Sequence, residues 1–404
     1  MLKICVIGLG YVGLPICLKS SNKFHTTGFD TNSIRIKNLN NKFDQNNEYK
    51  KKDFNNKNLI FTDKISSIKD CNFFIICVPT PIDKNNKPNL LPIKQSFETI
   101  AEVLKLKDIV ILESTVYPGV TDKFTKFLEN RKKLKSNKDF FIGYSPERIN
   151  PGDKKNSLTN INKIIALNTK NKDIILKVKN IYKNFCKKLI FSQNIKETET
   201  AKSIENIQRD LNISLFNEIL MICDKLKLDY SEVVRLAKTK WNFINFQPGL
   251  VGGHCLPVDP YYLSYIAKKN QFNSIVTLAG RKTNNKMEEF VFKKFINFIK
   301  LNNKNLKSSK IMVIGLTYKY GVSDMRNSLN LKIYNRIKKI VKEAYAYDPF
   351  SNENNSIINK NLSNFTRFDA VLFLTNGSIF KKIYKKIKLK KPRIILDPFN
   401  YYNN

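Results

Sequence analysis

Two short stretches of this chain carry residue types that could do covalent chemistry. The first is Pro248-Gly249-Leu250-Val251-Gly252-Gly253-His254-Cys255-Leu256-Pro257-Val258-Asp259-Pro260, with three glycines and three prolines in thirteen residues. Such a density marks a shaped loop. Cys255 sits in it with Asp259 four residues on. Most cysteines are buried structural thiols, but a polar Gly-rich loop is a poor place to bury one, so a nucleophile is the better reading. A zinc site on His254, Cys255 and Asp259 is the weaker one, because the spacing matches no common structural zinc pattern; no metal is expected. The second stretch holds Lys202 and Asn206, which share a face if the segment is helical. An ordinary solvated face would also explain them. A cation beside an amide could instead hold an oxygen jointly.

A third constellation points to a dinucleotide. Gly8-Leu9-Gly10-Tyr11-Val12-Gly13 fits G-x-G-x-x-G at the end of an expected strand and the start of an expected helix, and Asp30 ends the next strand twenty residues after Gly10. Gly8 permits the tight turn, Gly10 lets the backbone approach a pyrophosphate at the helix N-terminus, and Gly13 lets helix and strand pack closely. Asp30 would accept hydrogen bonds from the adenosine ribose and repel a 2′-phosphate, so NAD is expected over NADP. A merely tight strand-helix turn is the bland alternative, and the flanks and the acid weigh against it.

These residues need a scaffold. Lys3 to Gly8 and His25 to Asp30 read as strands around a helix from about Tyr11 to Ser21. The apolar runs Phe73 to Pro79, Ile109 to Ser114 and Asp139 to Ser145 end in loop-formers, as strands of a parallel sheet do. In such sheets ligands bind at the carboxyl ends of the strands. From about Ile195 to Lys227 one long helix is expected, on apolar residues Ile204, Ile207, Leu211, Leu215, Ile219 and Ile222 at steps of three and four. Further helix is expected over Ser231 to Lys238 and about Thr283 to Leu301. Strand-helix alternation returns with Lys310 to Gly315, Ala344 to Tyr347, Ala370 to Leu374 and Arg393 to Leu396. There Val313-Ile314-Gly315-Leu316 repeats Val6-Ile7-Gly8-Leu9, but Thr317 replaces the second glycine. The second repeat should therefore bind something other than a dinucleotide. The expected fold is α/β: two Rossmann-like, doubly wound parallel-sheet domains joined by a helical central domain, with boundaries at 1–194, 195–304 and 305–404.

Composition sets outer bounds. The chain has 404 residues, 42% of them hydrophobic, enough for two or three cores. Its formal net charge is +37, from 71 Lys and Arg against 34 Asp and Glu. The lysines are scattered, often beside Asn, and do not gather on one arm, which fits a compositional bias better than a nucleic-acid surface. Seven cysteines, an odd number without a Cys-x-x-Cys pair, suit a reducing compartment. The apolar run Ile4 to Leu18 is interrupted by Gly8, Gly10, Gly13 and Pro15, and no stretch reaches a membrane span. A cytoplasmic protein without membrane or nucleic-acid partners is expected.

Taken together, the chain resembles the UDP-glucose/GDP-mannose dehydrogenase family along essentially its whole length. The resemblance lies in Gly8 to Gly13, Val78-Pro79-Thr80-Pro81, Glu113-Ser114-Thr115-Val116, Tyr144-Ser145-Pro146-Glu147-Arg148, Lys202 to Asn206, Gly252 to Asp259, Gly315-Leu316-Thr317-Tyr318-Lys319 and Asp324-Met325-Arg326-Asn327-Ser328. It implies an N-terminal NAD domain, a central domain that makes a homodimer or higher homo-oligomer, and a C-terminal UDP-sugar domain. It implies further that Arg35, Pro79, Thr80, Ser114 and Thr115 join Gly8 to Gly13 and Asp30 around the cofactor. Glu147, Arg148, Lys202, Asn206, Gly252, Gly253, Lys319 and Arg326 would bind the sugar nucleotide. The implied reaction is a four-electron oxidation of a C6 alcohol to a carboxylate. Lys202 and Asn206 stabilise the oxyanion, Cys255 carries a thioester, Glu147 is the general base, and Thr115 and Asp259 hold water or tune charge.

Within the family the chain is most similar to enzymes acting on UDP-N-acetylhexosamines in Vi-antigen, capsule and O-antigen pathways, through Ser145 to Asp153, Glu205 to Asn212 and Val251 to Cys255. UDP-glucose enzymes tend to carry an acid at the position of Pro151 and a lysine at that of Val258, so UDP-glucose and GDP-mannose are secondary readings. GlcNAc and GalNAc remain open. Two rivals stand beside this one: a two-electron hydroxyacid dehydrogenase, which has no need of Cys255, and a non-catalytic basic nucleotide- or RNA-binding protein, which would explain the charge but not Cys255, Glu147 and Lys202 together.

Overall fold

The structure, a computed structural model, describes residues 2–149, 158–302, 304–351, 368–389 and 394–402. The Asn150 to Asp153 part of the hexosamine-type motif, including Pro151, lies outside them, as does Arg393. The chain divides into two compact units, Met1–Glu205 with Tyr261–Asn273, and Asn206–Pro260 with Ser274–Asn404.

In the first unit β1 (Lys3–Ile7), α1 (Gly13–Ser21), β2 (His25–Phe29), α2 (Ser33–Asn40), β3 (Leu59–Thr62), β4 (Phe73–Ile76), α3 (Leu91–Val103), β5 (Ile109–Leu112), α4 (Val120–Lys132) and β6 (Phe141–Tyr144) follow in sequence. Then come β7 (Asn162–Leu167), α5 (Lys172–Tyr182) and β8 (Lys188–Ser192). The sheet order is β3-β2-β1-β4-β5-β6-β7-β8, so the order reverses between β1 and β4, where ligands bind in this class of fold. Both faces of the sheet are covered. Ile4 and Val6 enter one core cluster while Cys5 and Ile7 enter the other, which is why the strands read as continuous apolar runs.

The expectation of a wholly parallel sheet needs one correction. β7 pairs antiparallel with β6, through Gly143 to Leu167 and Tyr144 to Ala166, and β8 runs parallel to β7. An antiparallel neighbour needs no crossover helix, and the described part of the β6–β7 connection contains no α-helix. The expected strands also overran their observed ends by one to three residues.

α6 (Ile195–Leu226) passes between the units after Glu205, α7 (Tyr230–Ala237) follows, and α8 (Asp259–Lys269) passes back after Pro260. α9 (Ile275–Leu301) starts eight residues before its expected start, at Ile275 after the N-cap Ser274. The second sheet comprises β9 (Lys310–Ile314), β10 (Glu343–Tyr347), β11 (Ala370–Phe373) and β12 (Ile395–Leu396), with α10 (Leu329–Lys338) and α11 (Ser378–Leu389). It is parallel throughout, in the order β10-β9-β11-β12.

The apolar periodicity of α6 foretold the helix but misplaced its buried face. Ile207 is buried, whereas Ile204, Leu215 and Ile222 are 53%, 54% and 49% exposed. The core is made instead by Phe216, Leu220 and Cys223, packed with Met287, Val291 and Phe295 of α9. The same face of α6 carries polar residues that α9 satisfies. Arg281 donates to Asp210 at 2.5 Å, and Asn284 donates to Asp210 at 2.7 Å and accepts from Asn217 at 2.8 Å. A one-for-one hydrophobic period could not reveal this, because half of that buried face is hydrogen-bonded polar side chains.

Removing one member of a buried, paired set leaves an uncompensated charge. Arg281→Met should therefore destabilise the second unit by about 3–5 kcal/mol in urea melts. A change under about 1 kcal/mol would mean that Asp210 finds another partner.

Candidate active site

The turn after β1 is built as a dinucleotide cradle. Gly8 N–H donates to Phe29 O at 2.8 Å, Leu9 N–H to Asp30 Oδ2 at 2.8 Å, and Asn32 N–H to Asp30 Oδ1 at 2.9 Å. A Cβ on Gly13 would lie 1.8 Å from Gly8 O, so the approach of α1 to the turn demands glycine; a Cβ on Gly10 would meet no heavy atom within 4 Å. Tyr11 and Val12 are half-buried beside them. Room at Gly10, a half-buried acid at Asp30 and a helix N-terminus fit a dinucleotide pyrophosphate and ribose.

Arg35 is placed behind this turn. Its side chain is buried, with Nε donating to Leu9 O at 3.0 Å and a terminal nitrogen to Asp44 Oδ1 at 2.9 Å. The geometry thus gives it a grip on the turn's backbone. On the adjacent strand ends, Ser114 Oγ donates to Val78 O at 2.7 Å and ties the β5 loop to the β4 loop, beside exposed Pro79 and half-buried Thr80 and Thr115.

The same unit holds Glu147, Arg148 and Lys202. Glu147 is buried, its Oε1 accepting from Arg148 N–H at 2.6 Å and from Ile149 N–H, its Oε2 3.7 Å from Lys163 Nζ. Arg148 pairs with Glu205 of α6 and donates to Asn162 O. Lys202 is buried one turn beyond Glu199. Glu199 accepts from Gly119 N–H at 2.6 Å, Thr121 N–H at 2.9 Å and Thr121 Oγ1 at 2.7 Å. Burial pushes its carboxyl above the ordinary range against the pull of these donors. The clamp fixes the chain just after Thr115 to the helix that carries Lys202. Nothing in local sequence singled out Glu199 or Lys163.

The second unit holds the cysteine loop. Six of the seven cysteines are buried; Cys255 is exposed. Its carbonyl accepts from Val258 N–H at 3.0 Å and Asp259 N–H at 2.9 Å, folding the chain back into α8. Asp259 is buried and its carboxylate accepts from Asn206 Nδ2 at 2.5 Å. Val258, the position where a lysine marks UDP-glucose enzymes, is buried too.

The loop is anchored at both ends. Asn217 Nδ2 donates to Gly249 O at 3.0 Å while its Oδ1 accepts from Gly249 N–H at 2.8 Å, and Tyr401 OH donates to Pro248 O at 3.0 Å. Gly253 has φ +87°, and a Cβ there would sit 2.8 Å from the Tyr318 ring. A Cβ on Gly252 would lie 2.8 Å from Asn327 O, and Asn327 Nδ2 donates to Gly253 O. His254 Nδ1 is 3.6 Å from Asp324, with Tyr318 edge-on. Burial and the nearby Arg326 cation hold the imidazole below its ordinary value. Exposed Arg326 forks onto Asp324 at 2.7 and 2.9 Å, and Lys319, next to Tyr318 in sequence, is half-buried. Among the described residues no cluster of three or more His, Cys, Asp or Glu could hold a metal ion.

The sequence repeat is also a structural one. Gly315 N–H donates to Tyr347 O at 2.9 Å and Leu316 N–H to Asp348 Oδ2 at 2.8 Å, mirroring Gly8 and Leu9. Asp348, which sequence reading passed over, is fully buried and also takes Thr317 N–H, Thr317 Oγ1 and Phe350 N–H. Such an acid is occupied by its own turn.

The sequence matches the UDP-glucose/GDP-mannose dehydrogenase family in all three of its parts: the NAD binding domain over residues 2–186, the central domain over 196–286 and the UDP binding domain over 312–404. It is 43% identical over 338 residues to Protein CapL of Staphylococcus aureus, covering 83% of this chain and 79% of that one. It is 38% identical over 389 residues to a UDP-N-acetyl-D-glucosamine 6-dehydrogenase of Salmonella typhi, covering 94% and 91%. A solved UDP-D-ManNAc dehydrogenase from Pyrococcus horikoshii superposes with a TM-score of 0.87 at 30% identity, over 99% of this chain and 96% of that one.

The two glycines of the turn make separable predictions. Gly10→Ala should leave the melting temperature nearly unchanged yet weaken NAD binding about tenfold or more, ~1.4 kcal/mol. Gly13→Ala should lower both, because its Cβ strikes Gly8 O. Equal thermal losses in the two variants would contradict the assignment of Gly10 to the ligand.

Proposed function

The chain belongs to the UDP-glucose/GDP-mannose dehydrogenase family and is an NAD-dependent nucleotide-sugar dehydrogenase, and we propose that it oxidises the C6 alcohol of a UDP-N-acetylhexosamine to the carboxylate through a thioester on Cys255. The observation that carries this reading is Cys255 itself: the exposed cysteine, on a turn whose backbone also positions Asp259. A two-electron hydroxyacid enzyme has no use for it. The hexosamine is supported by the similarity to the Salmonella typhi UDP-N-acetyl-D-glucosamine 6-dehydrogenase and by Val258, and UDP-GlcNAc is the first substrate to try.

In this reading the three functional regions are 1–194 for cofactor, 195–304 for subunit pairing and 305–404 for the UDP-sugar. NAD, when bound against Gly8 to Gly13 and Asp30, supplies the hydride acceptor for each of two oxidations. Lys202 and Asn206 hold the C6 oxygen as it becomes an alkoxide and then an aldehyde oxygen. Cys255 Sγ loses its proton and bonds to the aldehyde carbon while the aldehyde oxygen takes up a proton, and the thiohemiacetal so formed loses the hydroxyl proton to solvent and the second hydride to NAD to become a thioester. Water adds to the thioester carbon and gives its proton to Glu147, and the C–S bond breaks to release the carboxylate and the thiolate. Thr115 and Asp259 hold water or tune the charge around Lys202, and Asp259 accepts from the Asn206 amide. Lys319 and Arg326, with Gly252 and Gly253, hold the nucleotide and sugar.

The chain's partner is a second copy of itself, docked through the exposed face of α6 that carries Ile204, Leu215 and Ile222. Leu215→Glu should shift the sedimentation profile to monomer; an unchanged profile places the interface elsewhere. Among the described residues no helix is long and apolar enough to cross a membrane.

A panel of UDP- and GDP-sugars tests substrate choice by NADH yield, with two NADH expected per UDP-GlcNAc. Cys255→Ser should nearly abolish steady-state turnover, leave substrate affinity intact and accumulate an ester visible by intact-protein mass. Two NADH per substrate at wild-type rate from this variant would end the thioester mechanism.

A further inference from the structure

Behind Glu147 lies a buried charge cluster that the reaction just described does not use. Lys163, on the antiparallel strand β7, is fully buried, as is Glu113 at the end of β5. Lys163 Nζ pairs with Glu113 Oε2 and lies 3.7 Å from Glu147 Oε2, while Tyr182 OH of α5 donates to Glu113 Oε1 at 2.6 Å. Glu147 Oε1 is taken by two backbone N–H groups, whereas Oε2 accepts no hydrogen bond among the described residues. The remaining groups that bear on this pocket are Cys77 after β4, Cys186 after α5 and the guanidinium of Arg148, which is turned onto Glu205. Lys163 is the cation that the two carboxylates share.

Burying a lysine is costly, and a pair of hydrophobic residues would stabilise the core as well or better. Burial alone would drive the Lys163 amine down, but Glu113 and Glu147 hold it above its ordinary value, so it stays charged. Burial pushes the Glu113 carboxyl up, with Lys163 opposing and Glu147 reinforcing the rise. Without the cation, two carboxylates would face each other in a dry pocket, and one would take up a proton.

We propose that Lys163 is a positioning residue for Glu147: its ammonium, anchored by Glu113 and Tyr182, faces Glu147 Oε2 and holds that carboxylate in place for the hydrolytic step. This rests on the assignment of Glu147 as the base that releases the thioester. Lys163 touches neither water nor acyl group in this scheme; it acts through the Glu147 carboxylate.

The kinetic test follows thioester loss from Cys255 after a single turnover with UDP-GlcNAc, by acid quench and intact-protein mass, across pH 5 to 9. In Lys163→Met the acid limb of this rate should move upward by about one pH unit or more. Lys163→Arg should return it toward wild type, and NAD affinity should stay unchanged in both. An unmoved acid limb, or a loss equal at every pH, overturns the proposal. If Lys163→Met folds poorly, the double variant with Glu113→Gln, which preserves the pocket's net charge, carries the same measurement and the same expected upward shift.

A second arm needs no substrate, and so separates this proposal from the enzyme assignment. Carboxyls raised in the folded state stabilise at low pH and lose that contribution as pH rises through their folded values. The melting-temperature deficit of Lys163→Met against wild type should therefore widen from pH 5 to pH 8, and adding Glu147→Gln should narrow it. A deficit independent of pH and untouched by Glu147→Gln shows that the two residues are not coupled. If wild type oxidises no UDP-sugar while the coupling persists, it is the function that is wrong.

Discussion

A carboxylate at the end of one strand, holding the backbone N–H just past its neighbour, organises both Rossmann-type sheets in this chain. Asp30 holds Leu9 N–H, and Asp348 holds Leu316 N–H, each at 2.8 Å. What separates the two is the next residue. At Gly10 there is no side chain, and Asp30 stays half-buried at the mouth of the turn. At Thr317 the hydroxyl and N–H both close onto Asp348, which disappears into the fold. One architecture thus yields a turn open to a cofactor and a turn closed on itself.

The first sheet does more than hold the cofactor turn. Its six parallel strands already complete the nucleotide-binding order, and β7 and β8 extend it with reversed polarity. The reversal brings the amino end of β7, and with it Lys163, beside the carboxyl ends of β5 and β6, where Glu113 and Glu147 sit. A parallel strand would bring its own carboxyl end and a loop to that place. The fold accepts a buried charge there and neutralises it from two sides, which is an expensive way to fill a core and a direct way to control a carboxylate.

α6 performs three tasks along one axis. Its first turns clamp the loop after Thr115 through Glu199, its middle presents Lys202 and Asn206, and its later turns grip the cysteine loop through Asn217. Polar residues therefore occupy much of its buried side, and apolar ones are left exposed on another. That distribution follows from the hydrogen bonds the helix makes to loops within each unit.

Much of this was readable in the chain itself. The glycine spacing, Asp30, the repeat at Gly315, the alternation of strands and helices, and the unusual setting of Cys255 are contiguous signals, because turn chemistry and the periods of helix and strand are written in neighbouring residues. The reversed β7, the true buried face of α6, the contacts of Arg35 with Leu9 and Asp44 and the cluster around Lys163 were not. Lys163 meets Glu113 across 50 residues of sequence, Thr121 meets Glu199 across 78, and Asp210 meets Arg281 across 71. Lys163, Glu113, Glu199, Asp210 and Arg281 each look alone like one more charge in a chain rich in them. Only folding removes the water around it, and a charge without water must be paired; the choice of partner is made by the tertiary structure.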